Sequence, residues 1–125
     1  MRNLLDVNLL IALVWESHIH HAKAGAWFTG KRVVVCPLTQ LGFLRLSTNK
    51  KVLNIPMRDA RTALERFISE NKVDTLAADL DALESHPRTS EEVTDHYLAD
   101  LAVKHGLKLA TLDANLKHPS VELVN

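Results

Sequence analysis

The sequence predicts one α/β domain: a central, mainly parallel sheet with helices on both faces. Two observations carry this. Short apolar, β-branched runs such as "RVVVCP", "LKLATLD" and "VELV" read as buried strands. They alternate with longer segments whose apolar residues return every three or four positions, the period of a helix. The length agrees, because 125 residues suffice for one hydrophobic core and not for two. Residues 1–125 are therefore read as a single domain.

The elements follow in order. Residues 2–6 form a strand that ends near Asp6, and Asp6 or Asn8 caps a helix over about 8–15. After the polar break "ESHIHH", the stretch "HAKAGAWF" is a second helix closed by Gly30. "RVVVCP" is a strand ended by Pro37, and Thr39 to Ser47 is helical. "IPMRDARTALERFISEN" is the plainest helix, with Pro56 in its first turn and Ala60, Ala63, Leu64, Phe67 and Ile68 on one face. "VDTL" is a short strand and "SHPRTS" a loop. "TSEEVTDHYLADLAVKHG" is a helix with a Thr89/Glu92 capping box and Gly106 as its stop. "LKLATLD" and "VELV" supply the last strands. The chain has no repeat, low-complexity tract or linker.

Composition narrows the class. With 46% hydrophobic and 24% charged residues, the chain is neither disordered nor built to span a bilayer. Its start lacks the basic front and small-residue cleavage site of a secretory signal. Cys36 stands alone, so no disulfide framework exists and a reducing cytoplasm is the expected location. Fifteen basic and fifteen acidic side chains cancel. A nucleic-acid binder normally carries a basic excess, so any such surface here is local.

The acids sort by position. In parallel α/β sheets ligands bind outside the carboxyl ends of the strands, and Asp6 and Asp113 both fall there. At about 100° per residue, Asp95 shares a helix face with Leu98, Ala99 and Ala102, whereas Asp100 turns about 140° away. Asp100 is read as half of a surface pair with Lys104. Gln40 lies above Phe43 and Leu44 and also turns inward, while Gly42 leaves room for close approach or packing. Asp6, Asp95 and Asp113 brought together would repel one another, and at least one would hold its proton. A hard divalent cation, Mg²⁺ or Mn²⁺, relieves that and prefers oxygen ligands.

"LLDVNLLIAL", "HIHHAKAGAWF", "CPLTQLGFLRLST" and "VTDHYLADLAVKHGLKLATLD" resemble, in order and spacing, the PIN-domain toxins of the VapC type. The resemblance covers nearly the whole chain. It implies a PIN-like α/β/α sandwich acting as a Mg²⁺- or Mn²⁺-dependent endoribonuclease on tRNA or rRNA, through metal-activated water. It also implies a VapB-type antitoxin as partner and a homodimer; that no membrane is involved is expected from the longest apolar run, Leu9 to Trp15, which is far too short to span a bilayer. Of the four acids typical of the family, the first, third and fourth fall on Asp6, Asp95 and Asp113. The second falls on Gln40, where many relatives have Glu, so a tightly held second ion and full catalytic strength are in question. Gln40 and Asn8 are placed behind the metal ligands.

Other features carry two readings each. Thr111 and Thr94 stand beside the acids as possible donors to a carboxylate or phosphate; the plainer reading is a strand or cap hydroxyl. Arg45, Lys50 and Lys51, with Arg58 and Arg61 downstream, make the best local basic surface for an RNA backbone, against the plainer reading of a solvated charged loop. "HIHH" has the look of a metal tract but reads better as a polar connector, and His96 turns about 100° from Asp95. Trp15, Trp27, Phe28 and Phe43 are core or interface residues, or line a groove for an antitoxin helix. Two alternatives to the nuclease remain: a degenerate PIN domain that binds RNA or protein without cutting, and a phosphoryl-accepting domain with Asp6 as nucleophile. The latter wants an acid where Asn8 stands.

Overall fold

A computed structural model describes residues 2–125. The elements are β1 (Arg2–Leu5), α1 (Val7–Val14), α2 (His21–Phe28), β2 (Arg32–Val35), α3 (Pro37–Thr48), α4 (Met57–Glu70), β3 (Asp74–Thr75), α5 (Val93–Lys104), β4 (Lys108–Thr111) and β5 (Val121–Leu123). The strands lie in the order β3-β2-β1-β4-β5, and every pairing is parallel. The expected mainly parallel sheet is thus wholly parallel.

Side chains alternate across the sheet with the period of two that a strand requires. Leu5, Val33, Val35 and Ala110 join the core under α1 to α4. Leu4, Val34 and Leu109 face the other way, against Leu98, Leu101 and Ala102 of α5. Both faces are covered, which is why these strands are apolar throughout. Burying each leucine contributes about 1.5–3 kcal/mol, so either layer alone is a large part of the stability.

Most element boundaries match the sequence reading, and the departures are local. Asp6 is the cap of α1 and accepts from Val7 N. Gly30 takes φ +77° after α2, a conformation that suits a residue without Cβ. Helix α3 starts at Pro37 itself, since a proline needs no N–H at a first helical position. Pro56 is the residue before α4, not within its first turn. The Thr89/Glu92 capping box does not form: Glu92 Oε1 accepts from Arg88 N, and Ser90–Glu92 is a 3₁₀ turn leading into α5. No helix among the described residues is long and apolar enough to cross a membrane.

The chain runs outward from β1 through β2 to β3, then returns to the other side of β1 through β4 and β5. The connection reverses direction between β1 and β4. Their carboxyl ends therefore bound a crevice of the kind that holds ligands in this architecture.

Candidate functional site

Register builds the site. Leu5 pairs with Ala110, and Asp6 N donates to Ala110 O at 3.0 Å, so Asp6 and Thr111 emerge side by side from neighbouring strands. Asp6 is 1% exposed. Its Oδ1 accepts from Val7 N at 2.8 Å and its Oδ2 from the Thr111 hydroxyl at 2.6 Å. The same Thr111 oxygen accepts from Asp113 N at 3.1 Å and from Asn8 Nδ2 at 3.3 Å. Asn8 Oδ1 accepts from Leu112 N at 3.2 Å, fixing the turn that carries Asp113. Asp113 Oδ1 then accepts from Asn115 N at 2.9 Å.

Asp95 enters from the other layer, in the first turn of α5 and half-buried. Leu98, Ala99 and Ala102 on its face are buried against the sheet, as the wheel predicts. Burial, then the charge of Asp6, a hydrogen bond shared with Asp6 and the charge of Asp113 push the Asp95 carboxyl up to about 7. Burial is also the largest influence on Asp6 and raises it, although the bonds from Thr111 and Val7 pull the other way. Both carboxyls are thus held above the ordinary carboxylate range, joined by a hydrogen bond between them. No basic side chain is among the groups that move either carboxyl.

Asp6 and Asp95 thus meet directly, while Asp113 acts on both through its charge, and together they offer oxygen donors with negative charge to spare. Such a set fits a hard divalent cation, whose charge would offset the burial and the repulsion that raise the Asp95 carboxyl. It fits a softer ion poorly, having neither nitrogen nor sulfur donors.

The other predicted residues fall out as follows. Gln40 is half-buried and lines a groove between α3 and α4 with Leu41, Leu44, Arg61, Leu64 and Glu65. Phe43 points instead into the core, so Gln40 shares its side with Leu44 alone of the two. Arg45, Lys50 and Lys51 are exposed at or beyond the last turn of α3. That end lies about 16 Å from Pro37 by helical rise. Of the basic residues expected to meet RNA, Arg61 is the one that lines the groove with Gln40.

Thr111 donates to a carboxylate, whereas Thr94, within the first turn of α5, neither caps the helix nor bonds an acid and lines an apolar pocket with Tyr97. "HIHH" acts as a connector: His20 N donates to His18 Nδ1, and His21 Nδ1 bonds Ala12 O of α1. Trp15 stacks on Phe43 and donates to Ser47, while Trp27 donates to Glu122, so both serve packing. The Asp100–Lys104 pair is not formed. Asp100 takes His96 and His118 instead, and Lys104 turns to Asp79. Asn8, where a phosphoryl-accepting domain wants a second acid, is instead tied to Thr111 and to Leu112 N.

A family model described as "PIN domain" matches residues 4–121. Ribonuclease VapC38 of Mycobacterium tuberculosis (strain ATCC 25618 / H37Rv) is 40% identical over 126 residues, covering 90% of this chain and 86% of that protein. The chain belongs to the VapC-type ribonucleases of the PIN-domain family. Ribonuclease VapC39 of the same organism is 36% identical, over 93% of this chain and 91% of its own length. The VapC-type fold is also seen in a crystal structure of VapBC2 from Rickettsia felis bound to a DNA fragment from their promoter. It aligns with a TM-score of 0.65 at 12% identity, over 98% of this chain and 97% of that one, and speaks to the fold alone.

Proposed function

We propose that the chain is the toxin of a type II toxin–antitoxin pair, a Mg²⁺- or Mn²⁺-dependent endoribonuclease that cuts tRNA or rRNA. The observation that carries this is the Asp6–Asp95 pair, a buried and a half-buried carboxyl hydrogen-bonded to each other at the carboxyl edge of the sheet. Asp6, Asp95 and Asp113 would hold the ion. When bound, the ion supplies positive charge to the acids, polarises a phosphoryl oxygen and lowers the pKa of water.

The protein's own groups do the rest. Thr111 orients Asp6, and Asn8 fixes the turn that aims Asp113. Gln40 offers an amide oxygen where many relatives place a carboxylate, so the chain supplies less charge to a second ion. Arg61 lies in the groove beside Gln40, with Arg45, Lys50 and Lys51 extending the basic surface along α3. Backbone phosphates are the natural ligands of such side chains.

A VapB-type antitoxin is the expected inhibitor, and homodimerisation is expected as well. The α3–α4 groove, with Leu41 62% exposed at its rim, suits an apolar helix face.

Antitoxin-free protein incubated with tRNA and rRNA tests the reading. Cleavage that needs Mg²⁺ or Mn²⁺, stops with EDTA and is lost in Asp6→Asn supports it. Equal inertness of parent and Asp6→Asn would favour the second reading, a PIN domain that binds without cutting. Gln40 is the feature that keeps this reading in view.

A further inference from the structure

Asp100 receives two imidazoles at once. His118 Nε2 lies 2.7 Å from Oδ1, and His96 Nδ1 lies 3.1 Å from Oδ2. His96 and Asp100 are one turn apart on α5, while His118 comes from the connection between β4 and β5. One donor atom from each of the three lies within 4.8 Å of the other two. The rings meet edge to face, with centroids 5.1 Å apart.

The cluster is built rather than incidental. The His118 side chain is only 9% exposed, and Asp100 and His96 are largely covered. Ser85 Oγ lies 3.1 Å from His96 Nδ1. Ser120 Oγ lies 3.0 Å from His118 Nδ1 and donates to Ala99 O, so its lone pairs remain free to accept. Ser120 N also donates to His118 Nδ1, which sets the proton of the neutral ring on Nε2, toward Asp100.

We propose that His96, Asp100 and His118 form a second metal site, suited to a borderline divalent transition ion such as Zn²⁺ and separate from the aspartates at the strand ends. Two imidazole nitrogens and one carboxylate match the donors that Zn²⁺ and Co²⁺ take, whereas Mg²⁺ prefers oxygen throughout. For Nε2 of His118 to bind the ion, its ring proton must pass to Nδ1, which then gives up the bond from Ser120 N and donates to Ser120 Oγ instead. That hydroxyl is the kind of outer partner that orients a metal-bound histidine. Three protein ligands leave a coordination position open. The ion would pin α5 to the β4–β5 connection, and His96 directly follows Asp95, so it would stiffen the helix that presents a catalytic acid.

Co²⁺ titration of the full chain by visible absorption is the direct test, with Zn²⁺ melting curves beside it. The proteins are the parent, Asp6→Asn, His96→Gln and His118→Gln; glutamine keeps a hydrogen bond to Asp100 but is a poor zinc ligand. Parent and Asp6→Asn should develop the same intense absorption of four-coordinate, nitrogen-ligated Co²⁺ at the same affinity, whatever the strand-end acids hold, and both histidine variants should lose at least about ten-fold. Zn²⁺ should raise the melting temperature of the parent and leave the histidine variants unmoved. Failure of the parent to bind Co²⁺ or Zn²⁺, loss of binding in Asp6→Asn, or full binding in both histidine variants would overturn the proposal. Imidazole resonances of His96 and His118 in the parent give a check independent of variant folding: they should shift with Zn²⁺, and unmoved resonances count against the site.

Discussion

Thr111 donates its hydroxyl to Asp6 Oδ2 across 2.6 Å, and that one oxygen also accepts from the backbone of Asp113. A single side chain on β4 thus orients the acid of β1 and anchors the acid that follows β4 itself. Hydrogen bonds to a buried carboxylate are worth about 1.5–3 kcal/mol, because the anion has no water to turn to. Thr111→Val keeps the shape and removes the donor. It should destabilise the protein by about 1–3 kcal/mol and weaken Mn²⁺ binding by about 10–100-fold. Thr111→Ser should recover most of both, as calorimetric titration with Mn²⁺ will show. A valine variant that binds like the parent would mean the hydroxyl serves only the strand.

Asp95 should make the metal-free protein lose stability as pH rises. Its carboxyl titrates at about 7 in the fold against 3.8 ordinarily, mainly through burial and then through Asp6. The folded state therefore holds the proton more tightly than the unfolded chain does. This favours folding most below about pH 4, and the benefit is lost as pH climbs through about 7. In EDTA, Asp95→Asn should melt near the parent at low pH and several degrees higher above neutrality. Saturating Mg²⁺ should reverse the order at high pH, since the parent alone keeps the full ligand set. A variant less stable than the parent at every pH in EDTA would contradict the electrostatic account.

These relationships differ in how far the sequence discloses them. The wheel places Asp95 on the apolar side of α5 because Leu98, Ala99 and Ala102 define that side locally. The strand ends place Asp6 and Asp113 by the same local logic. Thr111 was ambiguous because its partner is set by the register of β4 on β1, which no local pattern encodes. Asp100 was misassigned for a related reason. The i,i+4 rule sees Lys104, while the winning partner, His118, arrives from a loop beyond the next strand. The Thr89/Glu92 box failed because the chain enters α5 through a 3₁₀ turn, which moves the Glu92 side chain one residue upstream.

Gly42 should tolerate no side chain. A Cβ there would stand 2.6 Å from Val7 Cγ2 and 3.2 Å from Cγ1. Valine has little χ1 freedom in a helix and cannot swing aside. Alanine gains up to about 1 kcal/mol of helix propensity over glycine, but overpacking costs about 1–3 kcal/mol. Gly42→Ala should thus be destabilising on balance. It should also disturb activity, because Val7 N is the donor to Asp6 Oδ1. Adding Val7→Ala should restore stability, and a double-mutant cycle by urea denaturation measures the coupling. Additive single effects would mean that α1 and α3 slide apart without strain.

Arg61 should matter more to RNA than the lysines at the far end of α3. It shares the groove of Gln40, whereas Lys50 and Lys51 follow the helix end about 16 Å from its start. Its pairing with Glu65 at 3.8 Å is solvent-exposed and weak, so a phosphate can compete for the guanidinium. RNA binding to the Asp6→Asn protein, measured against salt, separates the two. Arg61→Ala should reduce the slope of log affinity on log salt by about 0.7, the loss of one single-strand phosphate contact. Lys50→Ala with Lys51→Ala should reduce it less, because the backbone must run the length of α3 to reach them. A larger loss from the lysine pair would move the RNA path to the distal end of that helix and leave the groove to the antitoxin.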